Sequence, residues 1–209
     1  MQNMILSDTE VYKFIGGELA LDFCNTGADR EVDFVGELLH SYRGLVSWAH
    51  QAQLLNDSEA MALAALGNEH PSEANNIYQH AVTLREALYR TFSAIAAERI
   101  PNEADLAILN SAVAEGLGHL RLQQSGDGFE WAWTSQPDDM DRMLWPVAKA
   151  ATDLLLSPDR FHLRECGNGN CSWLFLDLSR NHSRRWCTME SCGNRVKARG
   201  YRQRKANQE

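Results

Sequence analysis

The sequence predicts an α+β chain. A mostly α-helical N-terminal part carries one small β hairpin and is followed by a short cysteine-rich unit built from a hairpin and a helix. Three observations predict this. Apolar residues recur at helical spacing over most of the first 157 positions, one glycine-rich turn is flanked by strict alternation, and four of the five cysteines fall in two close pairs near the C-terminus. Hydrophobic residues make up 44% of the 209 positions and charged residues 23%. That balance supplies a core without disulfides and excludes the disordered class. No apolar run approaches the roughly 18 residues of a membrane span. Met1 to Glu10 lacks the basic-then-apolar pattern of a secretory leader, so the cytoplasm is the expected compartment. Cysteines there read as thiols or metal ligands before disulfides.

The elements follow in chain order. Phe14 to Thr26 sets Leu19, Leu21 and Phe23 against Ala20, Asp22 and Cys24, a period of two that suggests a short strand, with a helix start as the alternative. Asp33 to Leu55 reads as helix with Leu38, Leu45 and Trp48 inward. Asp57 caps a second helix that Gly67 ends. Ser72 to Arg99 reads as a long helix presenting Ala81, Leu84, Leu88, Phe92 and Ile95 on one face, and Glu103 to Glu115 as another. Leu120 and Leu122, then Ser125-Gly126-Asp127-Gly128, then Phe129, Trp131 and Trp133 signal a hairpin. Asp138 to Leu156 is again helical, with Pro146 tolerable only in a first turn or at a kink. Ser157-Pro158-Asp159 is the expected boundary, dividing 1–157 from 158–209.

Charge changes sign at that boundary. The chain as a whole is −8, but residues 158–209 hold eleven Lys/Arg against five Asp/Glu, a surplus of six, which leaves −14 on the first part. An acidic body repels polyanions and a basic unit attracts them.

The first part offers no phosphate loop and no nucleophile constellation, so no catalytic residues and no enzymatic role are expected. His40, His50, His70, His80 and His119 are scattered and read as ordinary surface or core histidines, and Cys24 as a buried structural thiol.

Chemistry concentrates in Cys166, Cys171, Cys187 and Cys192. Four residues separate the members of each pair and fifteen separate the pairs. Two thiolate pairs at this separation match a structural site for one zinc ion, reached at about 2.3 Å from two turns. Gly167, Gly169 and Gly193 let the turns bend toward the metal. Four sulfurs leave no open position for water, which argues against hydrolytic zinc. An Fe–S cluster or a reactive dithiol normally has other spacings, and His182 would be a spare ligand. The segment between the pairs reads as a hairpin in which Trp173, Phe175 and Leu178 pack over the metal and 179–183 turns. Gly193 to Ala206 reads as a helix, interrupted in propensity by Gly200. The unit is therefore treble-clef-like or zinc-ribbon-like. The expected nucleic-acid contacts are Arg180, Arg184, Arg185, Arg195, Lys197, Arg199, Arg202, Arg204 and Lys205, with Arg195, Arg199 and Arg202 on one helix face. Trp186 reads as packing beside the metal rather than stacking on a base.

The stretches Trp173-Leu-Phe-Leu-Asp177, Ser179-Arg-Asn181, Arg184-Arg-Trp-Cys187-Thr-Met189 and Cys192-Gly-Asn-Arg195-Val-Lys197-Ala-Arg199 closely resemble the CGNR-type zinc finger family. Gly16-Gly-Glu-Leu-Ala-Leu-Asp-Phe-Cys-Asn-Thr26 resembles the opening of the helical ABATE domain that precedes that finger, with Cys24 as the one departure, at a position where an aliphatic residue is expected. The resemblance implies a bacterial stress-induced transcription regulator. The finger would bind DNA, and the helical domain would sense a small-molecule effector or form a homodimer. Asn194 and Arg195 would contact DNA or support the metal loop. A zinc-stapled protein-interaction unit, or an RNA binder, is the alternative.

Overall fold

The computed structural model describes residues 10–27 and 37–206. Seven α-helices among these run in the order α1 (Leu19–Cys24), α2 (Tyr42–Gln51), α3 (Asp57–Glu69), α4 (Pro71–Ala96), α5 (Glu103–Gly118), α6 (Leu144–Leu156) and α7 (Asn194–Ala206). Between α5 and α6 lies an antiparallel hairpin, β1 (Leu120–Ser125) with β2 (Gly128–Trp133). A second, β3 (Leu163–Glu165) with β4 (Leu174–Leu176), follows a 3₁₀ turn at Pro158–His162. A π turn at Met189–Gly193 leads into α7.

Where Leu19–Cys24 suggested a strand, the chain is helical. Ala20, Leu21, Asp22, Phe23 and Cys24 are all buried, so the apparent inside–outside alternation corresponds to no solvent face. Gly17, at φ +85°, turns the backbone into α1, and the Asp22 carboxylate accepts from the Gly16 N–H at 2.7 Å.

Helix α2 begins at Tyr42, where the Ser41 hydroxyl accepts from the Gly44 N–H. Of the longer helix expected there, positions 33–36 lie outside the described residues. The cap of α3 is Asn56 rather than Asp57, in a capping box with Glu59. Gly67 does not end that helix. A Cβ there would sit 2.6 Å from the Tyr42 ring, so the glycine admits a neighbour. Pro71 opens α4 at its first position, where its missing N–H costs nothing. Gly116 lies against Trp145 at a Cβ distance of 3.1 Å, and α5 runs on past Glu115. Helix α6 starts six residues later than its apolar pattern suggested. A start at Asp138 would set the Pro146 ring against a carbonyl four residues earlier, whereas a start at Leu144 puts it in the first turn.

One apolar core joins the inner faces of α1 to α6. Leu163, Leu174 and Leu176 of the second hairpin belong to it as well. The joint is polar at two points. The Asn25 side chain donates to the Leu174 carbonyl and accepts from the Leu174 N–H, both at 2.9 Å. The Leu176 N–H donates to the Gly16 carbonyl at 2.7 Å. A buried ion pair lies deeper, where Arg85 on α4 meets Glu37 through two bonds of 2.6 Å. A smaller cluster of Cys166, Trp173, Phe175, Cys187 and Cys192 sits beyond the second hairpin.

Candidate metal centre and basic surface

The turn between β3 and β4 carries the first cysteine pair. The Cys166 N–H donates to the Trp173 carbonyl at 2.9 Å, and the Cys171 N–H to the Asn168 carbonyl at 2.8 Å, which curls the turn so that both sulfurs point one way. Gly167 passes so close to the Arg185 carbonyl that a Cβ would stand 2.9 Å from it. The second pair flanks the π turn. Thr188 closes this turn by accepting from the Ser191 N–H at 3.2 Å, while the Gly193 N–H donates to its carbonyl. A Cβ on Gly193 would reach 2.5 Å from the Met189 sulfur, so a larger residue would have to displace that side chain.

The four Sγ atoms all lie within 4.8 Å of one another. Cys171 and Cys187 stand 3.8 Å apart. A disulfide needs about 2.05 Å, and a tetrahedron of sulfurs about 2.3 Å from one ion has edges near 3.8 Å. The Cys166 sulfur accepts from the Cys187 N–H, and the Cys192 sulfur from the Asn168 amide, both at 3.4 Å. Such donors stabilise thiolates. The sulfurs share their protons unevenly. Hydrogen bonds from Cys171 and Cys187 hold the Cys166 thiol far below its usual range. The bond to Cys166 pushes Cys171 up, and it lifts Cys187 to about 12. A bound dication favours the deprotonated form of every sulfur that ligates it. This donor set suits one zinc ion, which when bound serves as a cross-link between the two turns.

Two sequence expectations change here, the place of the hairpin and the packing of Leu178. The hairpin is not between the cysteine pairs. Its first strand, Leu163–Glu165, precedes Cys166, and the first pair occupies its turn. Three residues are too few for a period-two pattern to stand out. Trp173 and Phe175 do pack at the sulfur cluster, but Leu178 is exposed. His182 lies outside the cluster; its Nδ1 bonds the Asp177 carbonyl at 2.8 Å and its ring stacks on His162 at 3.9 Å. Cys24 is fully buried and apart from the cluster, its sulfur facing the Arg85 carbonyl.

Arginines of the loop and of α7 divide in two. Arg184 turns inward, stacking on Phe175 at 4.2 Å and donating to the carbonyls of Ile15, Leu176, Trp186 and Cys187. Arg180, Arg185, Lys197, Arg199, Arg202, Arg204 and Lys205 are exposed, and no ion pair among the described residues engages them. No residue of α7 is buried, and the helix packs substantially only on the turn before it. Arg195, Arg199 and Arg202 line one open groove of about 540 Å³ with Glu190 and Asn194. Asn194 also folds back, its amide donating to the Glu190 carbonyl at 3.2 Å. Sequence reasoning missed Asn168 as a sulfur partner and Arg184 as a latch. A polar residue between two glycines in a cysteine turn could have marked the first; nothing in the sequence marked the second.

A four-sulfur site held by a β turn and the foot of an arginine-rich helix defines a zinc-finger protein. Residues 17–158 match the ABATE family, described as "Putative stress-induced transcription regulator", and residues 162–205 match the CGNR zinc finger. The chain belongs to the ABATE family and carries a CGNR finger. No curated protein matches it. No helix among the described residues is long and apolar enough to cross a membrane.

Proposed function

We propose that this chain regulates transcription by binding duplex DNA through residues 158–209, with residues 1–157 as the regulatory body. Zinc held by Cys166, Cys171, Cys187 and Cys192 fixes the angle at which α7 leaves the core. Arg195, Arg199 and Arg202 then enter a groove, while Arg180, Arg185, Lys197, Arg204 and Lys205 meet phosphates. Arg184 is left out of the contact set because its guanidinium is occupied by backbone carbonyls. The protein acts in the cytoplasm and has no catalytic role.

The observation that carries this reading is α7 itself. It is a 13-residue helix with no buried side chain, rich in arginine and standing off the core. A helix of this length is marginal in water without a packed face. Arg199, Arg202, Arg204 and Lys205 along it are exposed and engaged by no ion pair among the described residues, and a polyanion would supply both a packed face and the counter-charge.

Fluorescence anisotropy of labelled duplex DNA across a salt series tests the reading. Log affinity is expected to fall steeply with log salt, by about 0.9 per phosphate neutralised. Arg199→Gln with Arg202→Gln should weaken binding and flatten that slope while zinc content stays unchanged. Absent or salt-independent binding would overturn the proposal. Preferential competition by structured RNA would point to RNA instead.

A further inference from the structure

The β1–β2 hairpin stands off the body, anchored at its base. The Thr134 N–H donates to the His119 carbonyl at 2.8 Å, and Trp133 leans on Trp145. Its two-residue loop opens on Gly126 at φ +58°, the left-handed start that a tight hairpin turn of this kind requires. The register places Leu120 opposite Trp133, Leu122 opposite Trp131 and Gln124 opposite Phe129, so these six share one face. Only the root of that face is covered. Leu122 is 61% exposed, Phe129 74% and Trp131 61%. On the opposite face Gln123 donates to Glu130 at 3.0 Å and Arg121 donates to the Gly118 and Leu120 carbonyls.

A two-stranded hairpin in water is marginal unless its apolar face is packed. Single exposed apolar residues need no explanation, but three large ones side by side on a regular surface mark an interface. We propose that the occupant is the same face of a second copy of this chain, in a two-fold dimer. Charge favours that choice. The body is strongly acidic, yet residues 120–133 hold only Arg121, Asp127 and Glu130, so two copies meet here without the repulsion the rest of the surface would impose. Nor does the face offer a carboxylate or an ammonium to recognise a charged partner. Its residues are apolar apart from Gln124, and a patch of that kind is complementary to itself.

Area sets a further condition. Aromatic side chains bury about 150–250 Å² each, so at these exposures the three residues leave roughly 350 Å² uncovered per copy, or roughly 700 Å² for a pair. Specific dimers begin near about 1,200 Å², so the pairing must draw the rest of its contact from the neighbouring hairpin backbone and side chains. The pairing uses no part of α7 or the sulfur cluster, so it stands or falls apart from the nucleic-acid reading.

Sedimentation equilibrium of the zinc-loaded full chain, without DNA, tests it. The expected result is a concentration-dependent approach to twice the 23.5 kDa chain mass. Trp131→Glu should raise the dissociation constant by at least about 30-fold, as loss of a central anchor does. Its zinc content and far-UV circular dichroism should stay those of the parent, and Trp131→Phe should remain dimeric. Three results would overturn the proposal: a parent chain that stays monomeric at all concentrations, a Trp131→Glu variant that remains dimeric, or a monomer that floats with phosphatidylcholine vesicles through this hairpin.

Discussion

The helical body and the cysteine unit are held by different forces. In the body, six helices bury one apolar core, and the charged Arg85 enters it paired with Glu37. Around the sulfurs the buried hydrophobic set shrinks to three cysteines and two aromatic residues. Such a cluster cannot offset the ordering entropy of the loop and helix it must hold, and the metal supplies the difference. A core tolerates the loss of one contact by degrees, whereas a metal-held unit loses its order when the ion leaves.

The largest test of this contrast is metal removal. Chelation of the purified chain should abolish hydrogen-exchange protection from Arg184 to Ala206. Protection in α2, α4 and α6 should remain, as should that of β3 and β4, whose Leu163, Leu174 and Leu176 belong to the body core. The coupling is on the order of 10 kcal/mol at neutral pH. Zinc affinity should also drop as pH falls, because binding must displace protons from thiols such as Cys187, whose hydrogen bond to Cys166 lifts it to about 12. Loss of protection throughout the chain would show that the two regions share one stability.

Next in size is Arg85→Leu. Its side chain is 2% exposed and bonded to Glu37, so removal strands a carboxylate that is itself partly solvated. Urea unfolding should show a loss of about 3 kcal/mol with zinc content unchanged. A fall in zinc affinity instead would mean the ion pair supports the finger.

A smaller effect concerns Asp22. Burial pushes its carboxyl up to about 6, against the pull of the Gly16 and Ile15 amides. A folded value above the unfolded one means the native state binds the proton more tightly between roughly pH 4 and 6. Asp22 therefore favours folding below pH 4 and loses that contribution as pH rises past 6. Relative to Asp22→Asn, the parent should lose on the order of 2 kcal/mol of stability across that window, measured by denaturant titration at each pH. A flat difference would place the carboxylate in contact with water.

The smallest effect is expected at Arg204. Arg204→Gln should leave urea stability within about 0.5 kcal/mol of the parent, because its side chain is exposed on a helix without a packed face.

Much of this was legible in the sequence, and the misses have physical causes. The helices of the body were visible because Ala81, Leu84, Leu88 and Phe92 repeat at helical spacing and are all fully buried. Ends were misplaced where Gly67 and Gly116 admit aromatic neighbours from other helices, since local sequence does not distinguish a packing glycine from a terminating one. Helix α1 was misread because alanine and cysteine are small enough to be buried on either side of a helix. The sulfur cluster was clear from spacing alone, whereas the strand feeding it was too short to announce itself. Arg184 shows a further limit: sequence counts a charge but does not say which way the guanidinium faces.

The amide of Asn25, with the Gly16 carbonyl, occupies the outer rim of β4 as a neighbouring strand would. Backbone groups that would otherwise template stacking with stray chains are therefore capped from within. The cap comes from the other end of the polypeptide, so the finger strand is sealed only after α1 has docked. A proteolytically trimmed chain lacking its first helix would expose that rim and should be prone to aggregate.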